Sequence, residues 1–140
     1  MDKLKNNDKA SADIQKIRND LLTEVFNKYG TFFAFSDKQL EEQRKEGVTY
    51  VSVGSGMITP KETAREMLEA LDKAIDKGIE KDKELNSKEQ IILRELINYE
   101  CFYTGNITDA RERLEAYGYT ADEIRQVYND NFKEYVEKFN

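Results

Sequence analysis

The sequence contains no histidine and no tryptophan, and it has one cysteine and one proline among its 140 residues. Without histidine, the chain lacks the commonest general base and the commonest metal ligand of proteins. Its single thiol, Cys101, cannot form an internal disulfide and has no histidine that could activate it as a nucleophile. We therefore expect no enzymatic activity, no catalytic residues, no metal and no cofactor, and we expect Cys101 to be a small buried hydrophobic residue.

Long apolar runs and an excess of positive charge are also absent. The chain has 22 basic and 28 acidic residues, a net charge of -6 and a pI near 4.9. An acidic chain is repelled by phosphate backbones, so we expect no direct binding to nucleic acid. No apolar run approaches the length of a membrane span, and the start MDKLKNNDKA has no signal-peptide core. These features predict a protein of the reducing cytoplasm that makes no contact with membranes.

What the sequence does contain is a set of helical patterns with clear ends. Apolar residues recur at three- and four-residue steps from Ser11 to Tyr29, where Gly30 can end the helix. Capping boxes predict the starts of later helices, and one of these boxes is Ser87 with Gln90. A second box, Thr120 with Glu123, precedes the last helix.

These signals predict an α+β fold that is mostly helical, with about five helices and a small sheet of two or three strands. Residues 1–10 are expected to be a flexible N-terminus, and residues 11–140 a single domain. Within it, residues 11–80 would form an α+β part and residues 87–140 a C-terminal three-helix unit. The charged segment 76–86 is the expected hinge between them.

The strands are expected in short β-rich segments. Residues 31–35 are aromatic and predicted to be a buried strand, residues 48–53 alternate as a second strand, and residues 56–58 can add a third. Thr59 and Pro60 would then begin a long helix.

The glycine-rich loop between the second strand and that helix is one candidate ligand site. Glycines before a helix N-terminus can present backbone N–H groups to a phosphate. The spacing matches neither of the two common nucleotide-binding motifs, so a simple turn explains it equally well. The residues that would bind a nucleotide or cyclic nucleotide are Gly54, Ser55, Gly56, Met57, Thr59 and Arg65. Met57, at the loop's tip, is expected to be unusually accessible.

Aromatic residues indicate a second candidate site, a protein-binding surface. Nine of the fifteen aromatic residues lie at or beyond Tyr99, in a segment too small to bury every ring, and tyrosine is favoured at interfaces. Residues 87–140 also carry 7 basic against 11 acidic side chains, which could serve a basic partner surface or imitate nucleic acid. The candidate partner-binding residues are Tyr99, Tyr103, Tyr117, Tyr119, Glu112, Glu115 and Asp122.

The strings FFAFSDKQ, TYVSVGSGM and NYECFYTGNITDA resemble small, acidic, uncharacterised proteins of bacteriophages and bacterial mobile elements. The resemblance covers residues 30–118 and transfers no catalytic residue. It implies a phage accessory protein in the host cytoplasm that binds a host factor stoichiometrically, for example as an inhibitor of a defence system. The sequence therefore predicts a non-catalytic binding protein that acts by protein–protein contact, as an inhibitor or adaptor of host machinery. The alternative is a nucleotide or cyclic-nucleotide binder that uses the Gly54–Thr59 loop.

Overall fold

A computed structural model describes the backbone of residues 2–139 and the side chains of residues 13–136. Over that backbone it contains seven α-helices: α1 Asp2–Tyr29, α2 Asp37–Gln43, α3 Ala64–Leu85, α4 Lys88–Asn98, α5 Cys101–Thr104, α6 Thr108–Leu114 and α7 Ala121–Phe139. Three strands, β1 Phe32–Phe33, β2 Tyr50–Ser52 and β3 Met57–Pro60, form one sheet, and short 3-10 turns cover Lys61–Thr63 and Glu115–Tyr117. The prediction of a mostly helical α+β fold with a small sheet of two or three strands is confirmed, and the sheet has three. The predicted number of helices is too low.

The chain divides into two compact units. One, the helical unit, comprises residues 1–15 and 79–140, and the other, the sheet unit, comprises residues 16–78. Helices α1 and α3 each contribute residues to both units. No helix in the described part of the chain combines the length and the apolar character that crossing a membrane requires.

Two of the differences from the sequence prediction concern the start of α1 and the end of α3. Helix α1 begins at Asp2 rather than Ser11, because nothing between them breaks a helix and Asp2 suits the positive end of the helix dipole. The expected flexibility of residues 1–10 stays a prediction, because the side chains of residues 1–12 lie outside the described part. The segment 76–86 is no loop hinge, since α3 continues through it to Leu85 with Ile79 and Asp82 turned inward.

The helical unit has one continuous core. Buried side chains from α4 to α7 form it, among them Ile91, Leu96, Leu114 and Ile124. Two of the predicted capping boxes are present here: the Ser87 hydroxyl accepts from the Gln90 N–H at 3.2 Å, and the Thr120 hydroxyl accepts from the Glu123 N–H at 3.1 Å. Since these caps satisfy backbone groups that would otherwise lack partners, local sequence fixes where α4 and α7 begin.

A break at Glu100 accounts for one of the additional helices. Glu100 has a left-handed backbone, with φ at 56°, and this divides the expected helix after Ser87 into α4 and α5. Left-handed φ is strained for a residue with a Cβ atom, so the tertiary packing on both sides must hold the chain there. Gly105, at φ 76°, ends α5 in the same conformation without that cost.

The sheet unit packs the sheet with parts of α1 and α3. Its core consists of Val25, Met67 and Leu71, against which Met57 lies half-buried. The predicted end of α1 at Gly30 is confirmed, since Gly30 has φ at 67° and the Thr31 N–H donates to the Phe26 carbonyl at 2.9 Å. The prediction that Met57 is unusually accessible is therefore wrong, because its side chain packs against this core.

The sheet is antiparallel, with strand order β1-β3-β2. Phe33 pairs with Met57, and Val51 pairs with Thr59. The glycine-rich loop is the turn of the β2–β3 hairpin: the Val53 N–H donates to the Met57 carbonyl at 3.0 Å. The loop thus leads from strand to strand and not from strand to helix.

Strand β1 lies at an edge of the sheet and is shielded by α2. The Gln43 side chain donates to the Phe33 carbonyl at 2.9 Å, and the Gln39 side chain accepts from the Phe35 N–H at 2.7 Å. These two glutamines occupy edge groups that could otherwise pair with another chain. The prediction of a strand buried over 31–35 is wrong, because β1 covers only two residues and Phe35 is 73% exposed.

Thr59 is a structural residue of the sheet unit. Its side chain is fully buried, and its hydroxyl lies 2.9 Å from that of buried Thr31. We expect Thr59→Val to lower the free energy of unfolding by about 1–3 kcal/mol, because the Thr31 hydroxyl would remain buried without this partner. Urea unfolding followed by circular dichroism measures the change. The double variant Thr31→Val/Thr59→Val is the control and should recover most of the loss. A double variant as unstable as the sum of the two single variants would contradict this role.

Candidate functional site

A pocket of about 640 Å³ opens in the helical unit, lined by side chains from α4, α5 and α7. We call it the aromatic pocket. Helix α4 contributes Leu96 and Ile97. The α5 segment contributes Glu100, Phe102, Tyr103, Thr104 and Gly105, and α7 contributes Tyr128, Phe132, Tyr135 and Val136. The volume and the predominance of apolar lining are typical of ligand sites in proteins.

The break at Glu100 helps to create this pocket. It turns α5 away from the direction of α4, and Tyr103 and Thr104 both donate backbone hydrogen bonds to the Glu100 carbonyl at 3.0 Å. On α7, Tyr128, Phe132 and Tyr135 follow one another at steps of four and three residues, and Val136 lies four residues after Phe132, so these side chains share one face of that helix. Local strain at Glu100 and the helical periodicity of α7 therefore bring the lining residues of the pocket together.

One wall of the pocket is a stack of three rings. The Phe102 ring lies between Tyr128, with centroids 5.1 Å apart, and Tyr135, with centroids 5.0 Å apart. The planes differ by 4° and 16°, which is offset stacking. Phe102, Tyr128 and Tyr135 are buried, so this wall is a rigid part of the core.

Two further rings of the pocket are exposed to water. Tyr103 is 85% exposed and Phe132 is 43% exposed, and we call these two residues the rim aromatics. Tyr99, which precedes Glu100 in the chain, is 40% exposed. Apolar surface therefore continues from the pocket onto the outside of the helical unit.

Charge at the pocket comes from one side chain. Among the described residues that line it, Glu100 is the only one with a formal charge. The guanidinium of Arg125, which is not a lining residue, lies 5.6 Å from the centroid of the Tyr128 ring. Burial, and secondarily the charge of Glu134, raise the pKa of the Tyr135 phenol, so that phenol is neutral at pH 7.

The predicted partner-binding residues separate into four groups, of which the last is Tyr117 alone. Tyr103 lines the pocket, and Tyr99 lies on exposed surface beside the lining residue Glu100. The acidic residues Glu112, Glu115 and Asp122 are exposed but do not line the pocket. Tyr119 is half-buried, with the ammonium groups of Lys83 and Lys88 5.3 and 6.0 Å from its ring centroid.

The prediction that Tyr117 binds a partner is wrong. A partner-binding residue must be accessible, but Tyr117 is only 3% exposed. The 3-10 turn Glu115–Tyr117 directs the ring inward, where its hydroxyl donates to the carboxylate of Asp82. Lys83 also donates to the Tyr117 carbonyl at 2.7 Å. Tyr117 is thus part of the core and unavailable to a partner.

The predicted nucleotide loop lacks the geometry on which that prediction depended. Gly54, Ser55 and Gly56 form a hairpin turn, Met57 and Thr59 belong to β3, and α3 begins only at Ala64. Pro60, rather than Thr59, precedes the 3-10 turn, which has no side-chain cap. Arg65 is exposed on α3. Since the loop does not lead into a helix, no helix dipole faces a ligand there.

Cys101 is buried, as predicted. Burial raises the pKa of its thiol, which disfavours the thiolate needed for nucleophilic attack. Over the described residues, no three histidine, cysteine, aspartate or glutamate side chains are grouped so that they could hold a metal ion.

The helical unit also contains a buried cluster of charged residues that was not predicted from the sequence. Arg94 donates to both carboxylate oxygens of Asp82, at 2.8 and 2.7 Å, and to Glu95 at 2.9 Å. Asn86 and Tyr117 also donate to Asp82. We call these five residues the buried ion cluster. It joins the end of α3 to α4 and to the 3-10 turn at Glu115–Tyr117.

The electrostatics of this cluster favour its ionised form. Burial disfavours the charge of Asp82, but the hydrogen bonds from Arg94, Tyr117 and Asn86 outweigh it, so the Asp82 pKa lies below its ordinary value. Burial likewise disfavours the charge of Arg94, but hydrogen bonds and attraction from Asp82 and Glu95 raise its pKa. A signal was present in the sequence: Arg94 and Glu95 interrupt the apolar run from Ile91 to Leu96.

Together these features define a mostly helical α+β protein with an aromatic pocket in its helical unit. The chain belongs to a family of unknown function, DUF7659, whose model matches residues 14–137. Neither the curated proteins nor the solved structures contain a match to it.

Proposed function

We propose that this protein is a non-catalytic binding protein that acts by contact with a protein partner, and that the aromatic pocket is its binding site. The observation that carries the proposal is the continuity between an apolar pocket and two exposed rings that line it. Exposed aromatic side chains around a concave apolar surface are typical of the centres of protein interfaces.

The rim aromatics favour a protein over a small molecule as the occupant. A ligand contained in the pocket would leave much of the Tyr103 ring in water, whereas an extended partner would cover it. Tyrosine also supplies a large contact area at a low entropic cost, since few of its torsion angles must be fixed. Partner contact is therefore the use that accounts for both the pocket and its rim.

The pocket volume favours one second candidate, a small apolar molecule. About 640 Å³ lies within the range of small-molecule sites. A nucleotide has less support, because the described lining offers no cationic side chain to its phosphates. Native mass spectrometry of the purified protein separates these cases: a bound species of fixed small mass would favour the small-molecule candidate.

The identity of the partner rests on the sequence resemblance alone. On the prediction of a phage or mobile-element origin, the partner would be a host factor such as a component of a defence system. The stoichiometric mode of action follows from the proposal itself, since a contact protein acts only while it is bound.

A photo-crosslinking amino acid at position 103 tests the proposal. We expect crosslinking in cells to a discrete protein when the probe replaces Tyr103, because that ring would lie inside the interface. The matched control places the same probe at Glu89, which is exposed on α4 and does not line the pocket. Crosslinking that is equal at the two positions, or absent at position 103, would contradict the proposal.

A further inference from the structure

We infer that the aromatic pocket recognises a basic amphipathic helix, whose apolar side chains enter the pocket while a lysine or arginine pairs with Glu100. This inference rests on the proposed function and names the chemistry of the partner.

The size of the pocket allows more than one side chain to enter. A volume of about 640 Å³ exceeds that of any single amino-acid side chain, so it can hold two or more neighbouring apolar residues of the partner. On a helix, residues three or four positions apart lie side by side on one face and can do so.

The walls of the pocket favour a helix over an extended segment. Every described residue that lines it lies on a helix or on a turn that bounds one, and the sheet belongs to the other unit. An extended peptide would find no strand edge here for its backbone hydrogen bonds, whereas a helix satisfies its own backbone internally.

The charge at the rim favours a basic partner. Glu100 supplies the one formal charge among the described lining residues. The C-terminal end of α4, at Asn98, lies two residues before Glu100, and the negative end of a helix dipole attracts cations. Residues 87–140 add a net excess of acidic residues, 11 against 7 basic. A cation beside Glu100 would also meet ring surface, as Arg125 already does at Tyr128.

The strained backbone at Glu100 agrees with a role in binding. Among the described residues, only Ser55 and Glu100 are non-glycine residues with positive φ, and Ser55 lies in a hairpin turn. Strained residues concentrate at sites where geometry matters for function. At Glu100 the strained residue is also the charged one among the described residues that line the pocket.

Two synthetic peptides test the inference. Both form amphipathic helices with the same leucine and phenylalanine face, and they differ only in carrying lysine or glutamate on the flanks. Fluorescence anisotropy at physiological ionic strength should show the lysine peptide binding at least about tenfold more tightly than the glutamate peptide. Glu100→Gln should weaken the lysine peptide by about tenfold, since it removes a charged hydrogen-bond acceptor.

The control variant is Glu89→Gln, which changes the net charge equally at an exposed position outside the pocket. It should bind the lysine peptide like the unaltered protein. Equal losses in Glu89→Gln and Glu100→Gln, or equal binding of the two peptides, would overturn the inference. The proposed function would stand in that case if both peptides bound Tyr103→Ala more weakly than the unaltered protein. Failure of both peptides would overturn the inference, and only a concurrent absence of crosslinking at position 103 would overturn the proposed function as well.

Discussion

Replacing Arg94 with methionine should lower the free energy of unfolding by about 3–5 kcal/mol, because it leaves two carboxylates buried without their cation. Arg94 is almost fully buried and is the common partner of Asp82 and Glu95. A loss of this size is a large part of the stability of a typical domain. Equilibrium unfolding in urea, followed by circular dichroism, measures it.

The relative losses of unfolding free energy in different variants distinguish this explanation from a simple loss of packing. Asp82→Asn should cost less than Arg94→Met, because the arginine would keep its hydrogen bond to Glu95 at 2.9 Å. A matched control is Lys81→Met, which removes an exposed cation whose ion pair is with exposed Glu84. That surface substitution should stay within about 0.5 kcal/mol of the unaltered protein. If Asp82→Asn proved as damaging as Arg94→Met, the common-partner role of Arg94 would be wrong.

The pH dependence gives a further check on the same cluster. The Asp82 pKa is lowered in the folded state, so its contribution to stability is present above the unfolded-state pKa and is lost as the pH falls through the folded-state pKa. In Arg94→Met the same carboxylate would be buried without its cation, and its pKa would rise instead. The difference in unfolding free energy between the two proteins should therefore shrink between pH 7 and pH 3. A difference that grows on acidification would contradict the assignment.

Phe102→Ala should lower the free energy of unfolding by about 3–5 kcal/mol, the usual cost of removing a large buried ring. The Phe102 ring is the middle member of the stack with Tyr128 and Tyr135, so its loss removes two ring contacts and leaves a cavity. Thermal and urea unfolding measure the effect. The same variant should weaken partner binding, because the wall of the aromatic pocket would lose its fixed shape.

An exposed phenylalanine offers the control for this second prediction. Phe35 is 73% exposed and stacks on Phe33 with centroids 6.0 Å apart, in the sheet unit. Phe35→Ala removes the same atoms but should change stability by about 0.5 kcal/mol or less, since its ring is mostly hydrated already. Equal losses of unfolding free energy in Phe35→Ala and Phe102→Ala would show that the buried ring stack contributes no more to stability than an exposed ring does.

Much of the fold could be predicted because it depends on local chemistry. The capping boxes at Ser87 and Thr120 and the glycine at position 30 act through neighbouring backbone groups, and all three lie where the sequence predicts. Each strand overlaps a segment in which β-branched and aromatic residues concentrate, although the third strand was predicted only as an optional one and the bounds of all three differ. Thr59 and Pro60 were misread because a threonine followed by proline suits a helix start and a strand end equally well. Pairing of Thr59 and Pro60 with β2 places them in a strand.

The candidate site was only partly predictable. Exposure of Tyr99 and Tyr103 agrees with the predicted aromatic surface, but Tyr117 has the same local surroundings beside a turn and is buried. The difference lies 35 residues away in sequence, at the Asp82 carboxylate that accepts the Tyr117 hydroxyl. No periodicity or motif reports a partner at that distance.

By itself, the sequence determined the charge, the absence of histidine chemistry, the mostly helical character and the ends of several helices, because each depends on composition or on near neighbours in the chain. Tertiary structure alone decided which aromatic rings are buried, where the chain breaks at Glu100, and that a pocket lies between α4, α5 and α7. These features depend on contacts between residues far apart in sequence, which form only when the helices pack.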